Sequence, residues 1–183
     1  AWTRYRGRAL LQLVYTLWFP ERPADSPSDI LAGTLDGLTW RVTLAPDGEP
    51  VLYDTIHPCG CYHMFYPTPR AQPVPPAEAG APEALEWMFS PQSLPAVAAD
   101  ERLVLRIAAR THYLERVTPA RSLPGARRYA FRDYDELRSL PRPEGGRASL
   151  FGPDGLVAGT ERAERLLFWP MGIPSAGAMR QWG

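Results

Sequence analysis

Short runs of alternating apolar and polar residues, separated by Pro and Gly, constrain the fold of this chain more than any other feature. Residues 37–44 read Gly-Leu-Thr-Trp-Arg-Val-Thr-Leu, so that every second side chain is apolar. Because successive side chains of a β-strand point to opposite faces, this period of two predicts a half-buried strand. Pro46-Asp47-Gly48 supplies turn residues, and residues 51–56 predict a returning strand. We therefore expect an antiparallel hairpin.

The same pattern predicts further strands along the chain. Residues 11–19 and 102–113 alternate over a long stretch, and shorter candidates lie at 127–131, 148–151, 156–158 and 165–169. Asp133, with Glu136 three residues later, is typical of a helix cap. About seven short strands with a few short helices favour a mainly β fold, either a sandwich or a partly closed barrel. A mixed α+β arrangement is the alternative.

The length of 183 residues suits one well-filled core. The stretch from about residue 67 to residue 82 is rich in Pro and Ala, which disfavours both a helix and a central strand. We interpret it as an extended surface excursion, followed by a short helix at 83–88. Neither side of it has enough apolar sequence for its own core, so residues 1–183 are predicted to form a single β-rich domain.

Composition excludes several classes of function. The formal net charge is zero, whereas nucleic-acid binders normally carry a basic excess, so no nucleic-acid partner is expected. All basic residues other than His are Arg, and the chain contains neither Lys nor Asn, which is typical of a bacterial gene of high GC content. Lysine-based catalysis is thereby excluded. No apolar run approaches the roughly 20 residues of a membrane-spanning helix, so none is predicted.

Residues 4–19 combine a basic segment with an apolar run. Arg4, Arg6 and Arg8 precede an apolar run at 9–19, which resembles the start of a signal peptide. The run is short and contains polar residues, and no small-residue cleavage site follows it. We therefore do not expect a signal peptide here.

The reactive side chains concentrate in residues 57–63, which read His-Pro-Cys-Gly-Cys-Tyr-His. On a regular strand the alternate histidines and cysteines would share one face, but the outer two would be roughly 20 Å apart. The segment must therefore curl to place all four around one ion, and Pro58 and Gly60 permit this. Thiolate and imidazole ligands suit zinc or copper. The sequence predicts a metal-binding β domain whose candidate ligands are His57, Cys59, Cys61, His63 and His112.

Three alternatives remain open. Cys59 and Cys61 could close a small strained disulfide, which favours a redox-active protein. One cysteine could act as a nucleophile with His112 and Glu115, so enzymatic activity is undecided. The cysteines could also simply pack, with exposed aromatic residues carrying recognition in a binding or assembly module. A bacterial envelope location is slightly favoured over the cytoplasm.

Overall fold

The computed structural model describes residues 1–74, 88–128, 130–169 and 172–179, and within these ranges the chain is mainly β, as predicted. The strands are β1 (Trp2–Tyr5), β2 (Arg8–Arg22), β3 (Gly33–Leu44), β4 (Pro50–Ile56), β5 (Met64–Pro67), β6 (Arg102–Ile107), β7 (Leu114–Ala120), β8 (Leu140–Pro141) and β9 (Arg147–Ala148). Strands β1 to β5 form one sheet in chain order, and β6–β7 and β8–β9 form two-stranded sheets.

The chain divides into two compact units. Unit 1 contains residues 1–17 and 38–122, and unit 2 contains residues 18–37 and 123–183. Strands β2 and β3 contribute residues to both. The single domain expected over residues 1–183 stays a prediction.

The hairpin formed by β3 and β4 confirms the strongest sequence prediction. The strands pair antiparallel, with Arg41 opposite Asp54 and Val42 opposite Tyr53. The turn closes through the amide of Ala45, which donates to the carbonyl oxygen of Glu49 at 2.8 Å. Gly48 takes the positive φ of 87° that the turn requires. A bulge between Thr43 and Leu44 then shifts the register by one residue, so the turn and the bulge together set which side chains of β3 and β4 face one another.

The core of unit 1 lies between the sheet and the β6–β7 hairpin. Trp40 stacks on Tyr53, with ring centroids 5.5 Å apart. The buried cluster comprises Trp40, Val42, Tyr53, Met64, Tyr66, Leu94, Leu114 and Val117. The polar face of β3 is buried as well, including Arg41, which differs from the half-buried strand that alternation predicts. A buried charge on this face needs a partner, and this requirement shapes the site described below.

Strand β6 is shorter than predicted, and β7 was not predicted. The expected strand at 102–113 ends at Ile107 because the chain turns, with His112 in the left-handed region at φ 53°. It returns as β7, where Val117 is completely buried. The side-chain amide of Gln92 pairs with the backbone of Val117, donating to its oxygen at 2.7 Å and accepting from its nitrogen at 3.2 Å. Gln92 thus substitutes for a neighbouring strand at this edge.

Within the residues that the structure describes there are two short helices, of which the sequence predicted one. The cap at Asp133 is confirmed, since it begins a 3-10 helix at Tyr134–Arg138 and forms a capping box with Glu136. The strand expected at 165–169 is wrong, because α1 (Glu164–Leu167) occupies most of that range. In the part of the chain that the structure covers, no helix has the length and apolar character needed to cross a membrane.

The remaining predictions concern the second Pro-Asp-Gly turn, the short strands near it and the Pro-rich excursion. The turn at 153–155 is confirmed, because the amide of Gly152 donates to the oxygen of Leu156 at 2.7 Å and Gly155 has φ 79°. In place of the two flanking strands, Phe151 and Val157 form an isolated bridge, Leu156 bridges to Ala178, and Ala148 belongs to β9. The strand expected at 127–131 is wrong for the residues described there, which have no regular structure. Residues 75–82 of the Pro-rich excursion and residues 83–87 of the expected helix lie outside the described residues.

Unit 2 buries a carboxyl group at the start of α1. Glu164 is 6% exposed, and burial raises the pKa of its carboxyl group above the usual 4.5, although Arg162 and Arg22 oppose this change. A carboxyl group whose pKa is higher in the folded state stabilises the fold below the pKa of the unfolded chain. This stabilisation is lost as the pH rises through the folded-state pKa.

Replacing Glu164 with Gln is therefore expected to stabilise unit 2 at neutral pH. The advantage over the unmodified protein should shrink as the pH falls through the folded-state pKa, and vanish below the pKa of the unfolded chain. Thermal unfolding followed by circular dichroism between acidic and neutral pH measures this. Glu161→Gln is the control, because Glu161 is exposed. An advantage that does not depend on pH would contradict the assignment.

Candidate functional site

The loop of residues 57–63 connects β4 to β5 and is tightly curled. The amide of His57 donates to the carbonyl oxygen of Cys61 at 3.0 Å, and the amide of Gly60 donates to the oxygen of His57 at 2.8 Å. Gly60 and Tyr62 both have positive φ, at 77° and 53°. The predicted curling is thus confirmed. The reversal ends the regular alternation that would place the cysteines and histidines on one strand face.

The two cysteines of this loop are in the thiol form, with no disulfide between them. Cys61 is exposed and Cys59 is partly buried. The backbone N–H of Cys61 donates to the sulfur of Cys59 at 3.4 Å. A hydrogen bond to sulfur favours the thiolate, which is the reactive form of cysteine. The loop therefore holds one accessible sulfur beside a second sulfur that receives a backbone donor.

Aromatic contacts hold the loop against the turn between β6 and β7. The ring of Tyr62 lies edge-on to His57, with centroids 5.1 Å apart, and edge-on to Tyr113 at 5.3 Å. His57 is 4% exposed, whereas Tyr62 is 43% exposed. Left-handed φ is uncommon for a residue such as Tyr, so surrounding contacts must maintain it. Packing on both sides of Tyr62 supplies such contacts.

His63 lies at the other end of the loop in a polar cluster. Its Nε2 is 3.1 Å from Oδ2 of Asp54 and 2.8 Å from Nη2 of Arg41. The Nε of Arg41 also donates to Oδ2 of Asp54 at 2.6 Å, and the ring of His63 packs on Phe65 with centroids 4.2 Å apart. The cluster therefore anchors the loop on the buried polar face of β3 and β4.

The proton on Nε2 of His63 determines which partner it bonds. A guanidinium group only donates, and a carboxylate only accepts. Nε2 therefore accepts from Arg41 when it lacks a proton, and donates to Asp54 when it carries one. It cannot do both at once. His63 is thus engaged through this nitrogen in either state, which reduces its freedom to turn toward the cysteines.

The other candidate residues lie in the β6–β7 hairpin. His112 is 4% exposed and belongs to the turn, where its amide donates to the oxygen of Ala108 at 3.0 Å. Glu115 forms an exposed ion pair with Arg106, with Oε2 2.9 Å from Nε. The contact between Tyr62 and Tyr113 brings this turn to the cysteine loop.

The arrangement does not gather a metal-binding group. Across residues 1–74, 88–128, 130–169 and 172–179, no three or more His, Cys, Asp or Glu side chains are positioned to hold one metal ion. The candidate ligands are instead distributed. His57 packs among aromatic rings, His63 bonds to the Arg41–Asp54 pair, and the two thiols remain on the turn.

Comparisons with known proteins add no further assignment. No protein-family model, curated protein or solved structure matches this chain. The functional argument therefore rests on the geometry of the loop.

Proposed function

We propose that the protein is a thiol–disulfide redox protein whose active pair is Cys59 and Cys61. The observation that carries this proposal is the presence of two cysteines in the thiol form on one turn, with the N–H of Cys61 directed at the sulfur of Cys59. Accessible cysteines next to a resolving cysteine are typical of redox sites. The envelope location predicted from the sequence is compatible, because disulfides persist in oxidising compartments.

The exposures of the two sulfurs suggest the order of the exchange. Cys61 is the accessible thiol, so its thiolate attacks one sulfur of a partner disulfide. The partner's other sulfur leaves as a thiol after taking up a proton. The thiolate of Cys59 then attacks the sulfur of Cys61, closing the Cys59–Cys61 disulfide and releasing the second partner thiol. The partner disulfide is reduced by two electrons, and the protein dithiol is oxidised by two.

The small ring that results determines the direction of transfer. Two cysteines separated by one residue close a strained ring, and strained disulfides are more oxidising than relaxed ones. The left-handed Tyr62, packed between His57 and Tyr113, fixes the backbone of the turn in the dithiol form. The equilibrium therefore favours the reverse of the exchange described above, in which a partner dithiol is oxidised to its disulfide and the Cys59–Cys61 disulfide is reduced to two thiols.

Redox titration tests the proposal directly. After incubation with excess oxidised glutathione, we expect mass spectrometry to show loss of both thiol hydrogens and a peptide containing a Cys59–Cys61 disulfide. Cys59→Ser should instead accumulate a mixed disulfide between Cys61 and glutathione. Cys61→Ser should form its mixed disulfide more slowly, because the remaining sulfur is partly buried.

The double variant Cys59→Ser/Cys61→Ser is the control, and it should remain unmodified. Failure of the unmodified protein to form an internal disulfide, at any ratio of oxidised to reduced glutathione, would sink the redox proposal. Equal rates for the two single variants would refute the order of attack while leaving the pair intact.

Metal binding is the second candidate function, favoured by the two sulfur ligands that one turn presents. Zinc or copper would take the thiolates of Cys59 and Cys61, with imidazole ligands from the set His57, His63 and His112. His63 would first have to leave its contact with Asp54. Elemental analysis of protein purified without a His-tag tests this. Near-stoichiometric metal that is absent from Cys59→Ala/Cys61→Ala would support it, and no metal in either protein would oppose it.

A further inference from the structure

The first hairpin of unit 1 projects from the sheet. β1 and β2 pair with Tyr5 opposite Arg8, and Arg6 and Gly7 form the turn with φ 48° and 77°. The side chain of Gln12 donates to Oγ1 of Thr43 at 3.1 Å, and β3 ends one residue after Thr43. The residues of the hairpin between Gln12 and its turn therefore extend beyond the neighbouring strand. Residues 4–9 are exposed without exception.

This hairpin carries a local positive charge that the overall composition conceals. It contains Arg4, Arg6 and Arg8, and the first acidic residue of the chain is Glu21. The chain as a whole has equal numbers of acidic and basic residues, but every acidic residue lies at Glu21 or later. The absence of a basic excess in the whole chain therefore does not exclude an anionic partner for this hairpin.

The three arginines point in different directions. Cross-strand partners share a face, so Arg8 lies on the face of Tyr5, whereas Arg4 lies on the opposite face with Trp2. Arg6 is at the tip, with its guanidinium carbon 5.4 Å from the centre of the Tyr5 ring. Trp2 is 72% exposed and Tyr5 is 58% exposed. Each face of the ribbon thus presents one arginine and one aromatic ring.

We propose that the β1–β2 hairpin inserts into the major groove of duplex DNA and contacts the phosphates on both sides. A flat anionic surface would face only one side of the ribbon. A groove with phosphates along both walls is complementary to Arg4 and Arg8 together, with Arg6 entering first. The major groove of B-form DNA is about 12 Å wide and accepts a two-stranded β-ribbon, whereas the major groove of duplex RNA is too narrow.

The position of the aromatic residues argues against a membrane surface. Insertion of a hairpin into a lipid interface places apolar or aromatic groups deepest. Here Arg6 and Gly7 form the tip itself, the Arg6 guanidinium lies over the ring of Tyr5 beside it, and Trp2 lies at the opposite end of the short strand. A bilayer would therefore receive the charged tip first. Arginine contacts to phosphates are the interactions that this arrangement supports best.

Salt dependence gives the proposal a quantitative test. Three phosphate contacts predict a slope of about −2.7 for the logarithm of the binding constant against the logarithm of salt concentration. Binding should therefore weaken about 40-fold between about 50 mM and about 200 mM salt. Fluorescence anisotropy of a labelled duplex of about two helical turns, titrated with the whole chain, measures both quantities. The expected affinity at low salt is micromolar, as for sequence-independent contacts.

The variant Arg4→Gln/Arg6→Gln/Arg8→Gln is expected to lose most of the affinity and to bring the slope close to zero. The control changes three exposed arginines of β6 and β7, Arg102, Arg106 and Arg116, to Gln. This variant carries the same change in net charge, and should bind DNA like the unmodified protein. Circular dichroism establishes that both variants are folded.

Four outcomes would overturn the proposal. They are no binding at about 50 mM salt, equal weakening in the control variant, a single strand binding as tightly as the duplex, and binding to phosphatidylserine vesicles that exceeds binding to DNA. The last outcome, if the Arg4/Arg6/Arg8 variant abolished it, would assign the hairpin to a lipid surface. None of these results depends on the redox chemistry of the cysteine loop.

Discussion

Replacing Arg41 with Met is expected to lower the free energy of unfolding by about 3–5 kcal/mol, the usual cost of removing one partner of a buried ion pair. The side chains of Arg41 and Asp54 are 9% and 4% exposed. Met preserves much of the aliphatic volume of Arg41 but removes the cation. Asp54 would then remain buried with His63 close by but without its guanidinium partner, and a buried carboxylate without a full set of donors is strongly destabilising. Chemical denaturation followed by tryptophan fluorescence measures the loss.

A double variant separates the cost of the isolated charge from the value of the pair. Arg41→Met/Asp54→Leu replaces both partners with apolar groups, and should recover most of the lost stability. Arg70→Met is the matched control in the same unit, because Arg70 pairs with Asp47 where both side chains are about half exposed. Its effect should be much smaller, since solvent screens exposed pairs. Equal losses for Arg41→Met and Arg70→Met would show that the buried pair does not stabilise the fold.

The charges of the Arg41–Asp54 pair are visible in the sequence, but their alignment is not. The turn at Pro46-Asp47-Gly48 places Leu44 opposite Pro50, and a bulge between Thr43 and Leu44 then shifts the register by one residue, which sets Arg41 opposite Asp54. Opposite charges at facing positions of an antiparallel pair stabilise it. The bulge has no signature in the sequence of the turn. Burial of the polar face of β3 was not predictable locally either, because it depends on what the rest of the chain places there.

The candidate loop was located by sequence, but its geometry was not. Gly60 signals a turn because glycine adopts positive φ without strain. Tyr62 also has positive φ, and nothing in its chemistry predicts this. Its conformation follows from contacts with His57 and with Tyr113, which belongs to the distant turn between β6 and β7. The reversal that separates the candidate metal ligands therefore required tertiary contacts to become visible.

Strand β7 was missed for a related reason. Its sequence, Leu-Glu-Arg-Val-Thr-Pro-Ala, places Leu114 and Val117 three residues apart, which breaks the period of two. Both are nevertheless buried. Pairing with β6, which has a register irregularity after Arg106, accommodates the interrupted pattern. Pro119 fits because proline is tolerated on an edge strand. Local propensity was weak, and long-range pairing decided the outcome.

Replacing Arg162 with Met is expected to destabilise unit 2 by about 3–5 kcal/mol. The guanidinium of this arginine is 3% exposed and donates to the carbonyl oxygens of Leu31 at 2.5 Å and Leu35 at 2.7 Å. Leu35 has φ 61°, a conformation that costs roughly 1–3 kcal/mol and must be held by its surroundings. The same group lies 3.8 Å from the carboxylate of Asp36. Removal of Arg162 therefore leaves two carbonyl groups without this donor, and it deprives a buried acid of a cation.

The tight fit around this guanidinium makes the prediction specific to arginine. A Cβ atom on Gly33 would lie 2.6 Å from Nη1 of Arg162, so the backbone approaches the side chain closely. Arg162→Lys keeps the charge but cannot bond to both carbonyl oxygens with fixed geometry, and should recover only part of the stability. Arg165→Met, an exposed change in α1, is the control and should have little effect. Hydrogen exchange should show the largest loss of protection at residues 31–36. The assignment would be contradicted if Arg162→Met lost protection uniformly throughout unit 2 and Arg162→Lys kept full stability. Charge alone, and not the pair of carbonyl contacts, would then hold this segment.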